Sequence, residues 1–216
     1  MDEERYSVSD ETGLWKMDMH VHSTYFGDAR NEPGAIVRCF AESGIIPVVC
    51  DQNATAGSAV VSHRIRKLAS DIPIILAEEI MTSEGEIIGL FLNEEIHPYL
   101  PADETVEMIH DQGGLALVPH PFCSWRTTSA LRRDTLNTLA GEVDIIEGFN
   151  GRTLRGSENR EAREFAVQLK KPFSVGSDAH FPEDLGRFWL ELEPFLTPEA
   201  LLKNLSSPAV RYPELW

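Results

Sequence analysis

The feature that most restricts what this chain can fold into is an alternation repeated along its length. A short apolar run, rich in β-branched residues, is followed by a turn and then by an amphipathic stretch. The runs predict strands over residues 16–21, 45–50, 72–76, 86–92, 115–118, 143–147, 173–175 and 188–192. The stretches between them carry the helical period and predict helices over 34–43, 57–69, 103–112, 129–140, 157–170 and 198–205. Pro33 and Gly44 punctuate the first helix, and Ser157 is placed to cap the fifth. Parallel neighbours need a crossover between them, so strands alternating with helices indicate a mainly parallel sheet. About seven such units predict an α/β fold, a distorted (βα)7 barrel one unit short of the usual eight.

Composition narrows the partners. Thirty-five acidic residues stand against nineteen Lys and Arg, a formal charge of −16. Phosphate backbones and anionic membrane surfaces select basic stripes, so neither nucleic acid nor membrane is an expected partner. A small phosphorylated substrate remains compatible, because a bound cation inverts the local field. The apolar share of 42% in 216 residues is enough for one domain over 1–216, with short N- and C-terminal extensions. Cys39, Cys50 and Cys123 form neither a disulfide framework nor a zinc ribbon. The acidic N-terminus lacks the apolar core of a signal peptide, and no apolar run approaches the roughly 20 residues that span a bilayer. The expected location is the cytoplasm. The oligomeric state is not legible.

In folds of this class the chemistry lies at the C-terminal ends of strands. His20 and His22 close the first strand, Asp51 and Gln52 the second, Glu78 and Glu79 the third, and His120 the strand over 115–118. Glu147 closes the next, with Asn150 and Arg152 behind it, and Asp178 and His180 follow the strand over 173–175. Alternate residues of a strand share a face, so His20 and His22 can reach one cation, and Asp178 and His180 have the same spacing. Each histidine alone could equally be a surface group or one bonded to backbone. Repetition of metal-type residues at successive strand ends is what favours a metal site. Glu79 follows an apolar run and is suited to bridge two cations about 3.5–4 Å apart. Glu78 reads as a solvated edge carboxylate, and His63, His97 and His110 as surface residues. Tyr212, Leu215 and Trp216 are expected to dock on the fold or on a partner.

These motifs resemble the polymerase and histidinol phosphatase (PHP) superfamily over roughly residues 15 to 195. The first is Asp18-Met-His20-Val-His22-Ser23-Thr24-Tyr25, the second Asp51-Gln52-Asn53, the third the Glu79 segment, then His120-Pro121, and last Gly176-Ser177-Asp178-Ala179-His180. The segments at 82–92 and 145–152 are most similar to stand-alone metal-dependent phosphoesterases of that superfamily. The resemblance implies a seven-stranded barrel and two or three divalent ions, zinc, manganese or iron. It implies a first ion held by His20, His22, Glu79 and Asp178, and a second by Glu79, His120 and Glu86. A third would take Asp28 and His180 together with a second-motif histidine, and here Gln52 occupies that place and is expected near Asp28 and His180.

The activity implied is hydrolysis of phosphate esters. Asp178 or His180 would move a proton, and Arg126, Arg152 and Arg30 would be available to grip phosphate. Because Gln52 departs from the family pattern, a non-catalytic metal-binding module is the alternative. Metal-dependent hydrolysis of a carbon–nitrogen or carboxyl ester bond is a third reading.

Overall fold

The structure, a computed structural model, describes residues 12–25, 27–207 and 209–212. Leu215 and Trp216 lie outside the described residues. The chain begins with β1 (Trp15–Val21), α1 (Pro33–Ser43), β2 (Ile45–Val49) and α2 (Ala56–Leu68). A hairpin of β3 (Ala77–Thr82) and β4 (Gly85–Leu90) follows, then α3 (Ala102–Asp111), β5 (Leu115–Val118) and α4 (Arg133–Leu139). The remainder is β6 (Ile145–Asn150), α5 (Gly156–Leu169), β7 (Phe173–Gly176), β8 (Leu190–Leu192) and α6 (Pro198–Leu205).

Helix α1 ends as its sequence requires. Gly44 takes a left-handed conformation at φ 72° and returns its N–H to the carbonyl of Phe40 at 2.8 Å. Along β1, Met17, Met19 and Val21 alternate with Asp18, His20 and His22, and all six are buried. The methionine face packs with Phe40, Ile46, Ile65 and Leu190 in one apolar cluster. A second cluster gathers Ile80, Ile87, Ile109, Leu136 and Ile146 from β3, β4, α3, α4 and β6. Both faces of β1 are thus occupied, one by core and one by polar groups.

The strands form two sheets, ordered β2-β1-β8 and β3-β4-β5-β6-β7. The pairs β1/β2, β5/β6 and β6/β7 are parallel, whereas β1/β8, β3/β4 and β4/β5 are antiparallel. The structure is therefore a mixed α/β fold, and the described strands are not hydrogen-bonded into one closed (βα)7 barrel. Isolated bridges link the two sheets at both seams. At one, Val21 pairs with Ala179, and at the other Gln52 pairs with Glu79. At the first seam the His22 N–H reaches the Ala179 carbonyl at 3.0 Å, and the Asp178 N–H reaches the His20 carbonyl at 2.8 Å. Asn31 clips it further, donating to the carbonyls of His22 at 3.0 Å and Ala179 at 2.9 Å. The sheets meet where the metal-type residues are.

Several expected elements shift. The strand expected over 72–76 is unpaired, and the ladder is formed instead by β3. Pro73 lacks the N–H that a ladder position needs. Strand β6 begins two residues later than expected and runs three residues beyond the expected end, so that it includes Asn150 as well as Glu147. Helix α4 is shorter than expected, and α5 begins before Ser157, which makes no cap. Tyr212 stacks on Phe173 with ring centroids 4.4 Å apart, and its hydroxyl donates to the Phe173 carbonyl at 3.2 Å. No described helix is long and apolar enough to cross a membrane.

Candidate metal centre

Four elements supply the centre. Strand β1 brings His20 and His22, the β3–β4 hairpin brings Glu79 and Glu86, the turn after β5 brings His120, and the turn after β7 brings Asp178 and His180. His120 and Asp178 both take positive φ, 32° and 54°. A residue other than glycine is rarely held there unless its surroundings over-determine it. The surroundings here are explicit. Asp18 accepts the Ser177 N–H at 2.8 Å and fixes the chain just before Asp178. Ser23 donates its N–H and hydroxyl to Asp51, each at 2.6 Å, which ties the end of β1 to that of β2.

The side chains converge. The Nε2 atoms of His20 and His22 are 3.0 Å apart. Glu79 Oε1 lies 3.3 Å from His20 Nε2 and 3.2 Å from His120 Nε2, and its Oε2 lies 3.5 Å from His22 Nε2. Asp178 Oδ1 lies 3.4 Å from His22 Nε2 and 3.8 Å from His20 Nε2. Glu86 Oε2 lies 3.5 Å from His120 Nε2. Ligands about 2.1 Å from a tetrahedral cation stand about 3.4 Å from one another, which is the spacing found. Four overlapping trios can each enclose an ion: His20, His22 and Glu79; His20, His120 and Asp178; His22, Asp178 and His180; Glu79, Glu86 and His120. Glu86 Oε2 and Asp178 Oδ1 are buried and accept no hydrogen bond from the described residues. Such oxygens are costly unless satisfied, and a divalent cation satisfies them. The donor set fits the metal.

Charge is distributed unevenly across the centre. Burial disfavours ionisation of Glu79 and Asp178, yet neighbouring imidazoles outweigh it, His20 foremost, and hold both carboxyls well below the usual range. Burial and Arg126 push His120 down, while burial and His22 push His180 to about 4. Anionic Glu79 and Asp178 and neutral His120 and His180 are in the states that a cation requires, whereas the anionic groups around His20 outweigh its burial and raise it well above the usual imidazole range, so a cation must displace its proton. Burial, with the charge of Glu79 added, raises Glu86 to about 8.

The remaining expected residues fall as follows. Asp28 is exposed, with Oδ1 at 3.3 Å from His180 Nε2. Arg126 is mostly buried and pairs with Asp178 Oδ2. Arg152 is half-buried and close enough to disfavour the charged form of His180. Arg30 is exposed, and what it brings to His180 is its backbone N–H, at 2.7 Å from the carbonyl. Gln52 is not found beside Asp28 and His180. Its amide donates to Glu86 Oε1, because the bridge to Glu79 aligns the end of β2 with the β3–β4 hairpin. Glu78 is fully buried rather than solvated. It lies on the face of β3 opposite Glu79 and accepts the Ile96 N–H at 3.0 Å. His63, His97 and His110 are exposed.

Residues 156–210 match the PHP-associated family model. An uncharacterized protein of Methanocaldococcus jannaschii is 33% identical over 178 residues, 82% of this chain and 70% of that one. Among solved structures, a two-domain protein from Bacteroides vulgatus, containing a predicted PHP-like metal-dependent phosphoesterase, aligns with a TM-score of 0.69. The alignment has 18% identity and covers 97% of this chain and 68% of that one. An amidohydrolase from Chromobacterium violaceum, with bound sulfate and no metal, aligns with a TM-score of 0.62 at 17% identity, covering 79% and 90%. Together with the motifs and their buried convergence, these likenesses place the chain in the PHP superfamily, to which it belongs.

Proposed function

We propose that the protein is a metal-dependent hydrolase of small phosphate esters. The observation that carries this reading is the position of Glu79, one buried carboxylate facing both the His20–His22 pair and the His120–Glu86 pair. A carboxylate shared in this way is what a two-metal site uses to hold its ions a few ångströms apart. His20, His22, Glu79 and Asp178 would hold one ion, and Glu79, Glu86 and His120 a second. His180, with Asp28 and Asp178, would hold a third. The mixed nitrogen and oxygen donors suit zinc, manganese or iron, two or three per chain. When bound, such ions supply Lewis acidity at the phosphoryl group.

The chain's own residues do the rest. With only the first two ions bound, His180 is neutral at pH 7 and its Nε2 is placed to accept a proton, and Asp178 beside it is a charged acceptor. Arg126 and Arg152 present guanidinium forks of the kind that match phosphate oxygens, in a protein whose net charge of −16 would otherwise repel them. The seams between the two sheets support reading the architecture as a distorted barrel with this centre at its mouth.

The test is hydrolysis by purified protein supplied with Mn²⁺, Zn²⁺ or Fe²⁺. The panel holds phosphomonoesters and phosphodiesters alongside amides and lactones. Metal-dependent phosphate release, lost in His120→Ala, is the expected result. Turnover of amides or lactones alone would favour metal-dependent hydrolysis of a carbon–nitrogen or carboxyl ester bond instead. Bound metal with no turnover on any member would favour the binding-module reading.

A further inference from the structure

Glu147 was expected only as one of several polar strand ends, and no ligand trio includes it. It is nonetheless 1% exposed and fully engaged. Its Oε1 lies 3.0 Å from His20 Nδ1. Its Oε2 accepts the backbone N–H of His120 at 2.7 Å and one N–H of Asn150 at 3.0 Å. The same Asn150 nitrogen lies 3.1 Å from Asp178 Oδ2. Asn150 is itself held by Asn159 of α5, which accepts the Asn150 N–H at 3.0 Å and donates to its carbonyl at 3.2 Å. One carboxylate therefore reaches two separate segments of the candidate centre, at His20 and His120, and through Asn150 of its own strand is linked to a third, at Asp178.

We propose that Glu147 is a positioning residue that orients His20 and fixes the strained turn at His120, joining the two halves of the metal centre. The proposal rests on the metal-centre reading and names what holds that centre in register. An imidazole that donates Nδ1–H to a carboxylate leaves Nε2 as its ligand atom, and Nε2 of His20 is the atom turned toward Glu79 and His22. The bond to the His120 N–H supports a backbone at φ 32°, which the chain would otherwise leave. Gly176 leaves room for the arrangement, since a Cβ there would collide with Glu147 Oε1 and the Cβ of His20. Glutamine cannot replace this carboxylate. Three N–H groups point at two oxygens, and an amide offers one oxygen and an NH2 that faces donors.

The experiment compares wild type with Glu147→Gln by two readouts. The first is zinc affinity, from competition with a chromogenic chelator. It is expected to fall about 10–100-fold in the variant, the usual effect of removing a partner behind a ligating histidine. The second is the hydrogen-bonded Nδ1–H resonance of His20 in ¹⁵N-histidine-labelled protein, assigned by its absence from His20→Gln. It is expected in wild type with and without zinc, and is lost in Glu147→Gln. Equal zinc affinity in the two proteins overturns the proposal, as does an Nδ1–H resonance that survives the substitution. If wild type binds no zinc, the metal-centre reading fails, and the resonance still decides whether Glu147 holds His20. If Glu147→Gln does not fold, Glu147→Asp, which keeps the charge but withdraws the oxygens by one carbon, carries both measurements.

Discussion

Glu78 makes the protein's stability depend on pH in a way that can be calculated. Its side chain is buried on the core face of β3, with one oxygen bonded to the Ile96 N–H and the other without a hydrogen-bond partner among the described residues. Burial, with a contribution from the Glu95 charge, raises its carboxyl from 4.5 to about 7. The folded chain therefore binds a proton more tightly than the unfolded chain. The stability due to neutral Glu78 is fully present below pH 4.5 and is lost as pH rises through 7. A rise from 4.5 to about 7 is worth about 3 kcal/mol at 1.36 kcal/mol per pH unit. Measurements must stay clear of the pI near 4.8. Between pH 5.5 and 8.5 about 2 kcal/mol of that loss remains to be observed. Glu78→Gln keeps the acceptor for Ile96 and removes the titration. Its buried NH2 costs a constant amount at every pH, so the diagnostic quantity is the change in the gap between variant and wild type. Urea unfolding at the two pH values should show the variant gaining about 2 kcal/mol on wild type at the higher one. A gap that stays constant would mean that Glu78 titrates as a solvated carboxylate and would refute the argument.

Chelation should lower the thermal midpoint, because an ion that binds only the native state stabilises it by about 2.7 kcal/mol at a hundred times its dissociation constant. An unchanged melting curve after verified metal removal would count against the centre. Gln52→His places an imidazole beside Glu86, so metal binding by Glu79, Glu86 and His120 should tighten, while that by His22, Asp178 and His180 is unaltered. Metal titration in which binding by His22, Asp178 and His180 strengthens, rather than that by Glu79, Glu86 and His120, would contradict the contact between Gln52 and Glu86. Gly176→Ala should destabilise the fold by about 1–3 kcal/mol through overpacking against Glu147 and His20, and should lower metal content with it. A variant of wild-type stability and metal content would show that β7 yields without cost.

The periodicity of the chain was sufficient for most elements, and most strongly where one face is continuous. The alternation in β1 placed His20 and His22 together because strand geometry permits nothing else at that spacing. Asp178 and His180 were expected by the same rule, but they lie in the turn after β7, where Asp178 takes φ 54°, and the bridge of Ala179 to Val21 is what brings them to the centre. Glu78 and Glu79 show where that rule stops. Adjacent residues on a strand must face opposite ways, but which face is core depends on what packs there. Only the arrival of the segment carrying Ile96 buries Glu78. Glu147 was visible as a polar strand end, yet two of its three partners are residues 20 and 120, separations of 127 and 27 that no local pattern encodes.

By itself, then, the sequence determined the order of strands and helices, the acidic balance and the identities of the metal-type residues, because these follow from local periodicity and composition. Tertiary structure alone decided that the strands form two sheets bridged at the site. The direction of each pairing, as in the antiparallel β4 and β8, is a long-range choice among hydrogen-bond partners. It also decided that Gln52 faces Glu86 rather than His180. That follows from the bridge between β2 and β3, and a bridge is formed by backbone groups that every residue carries alike.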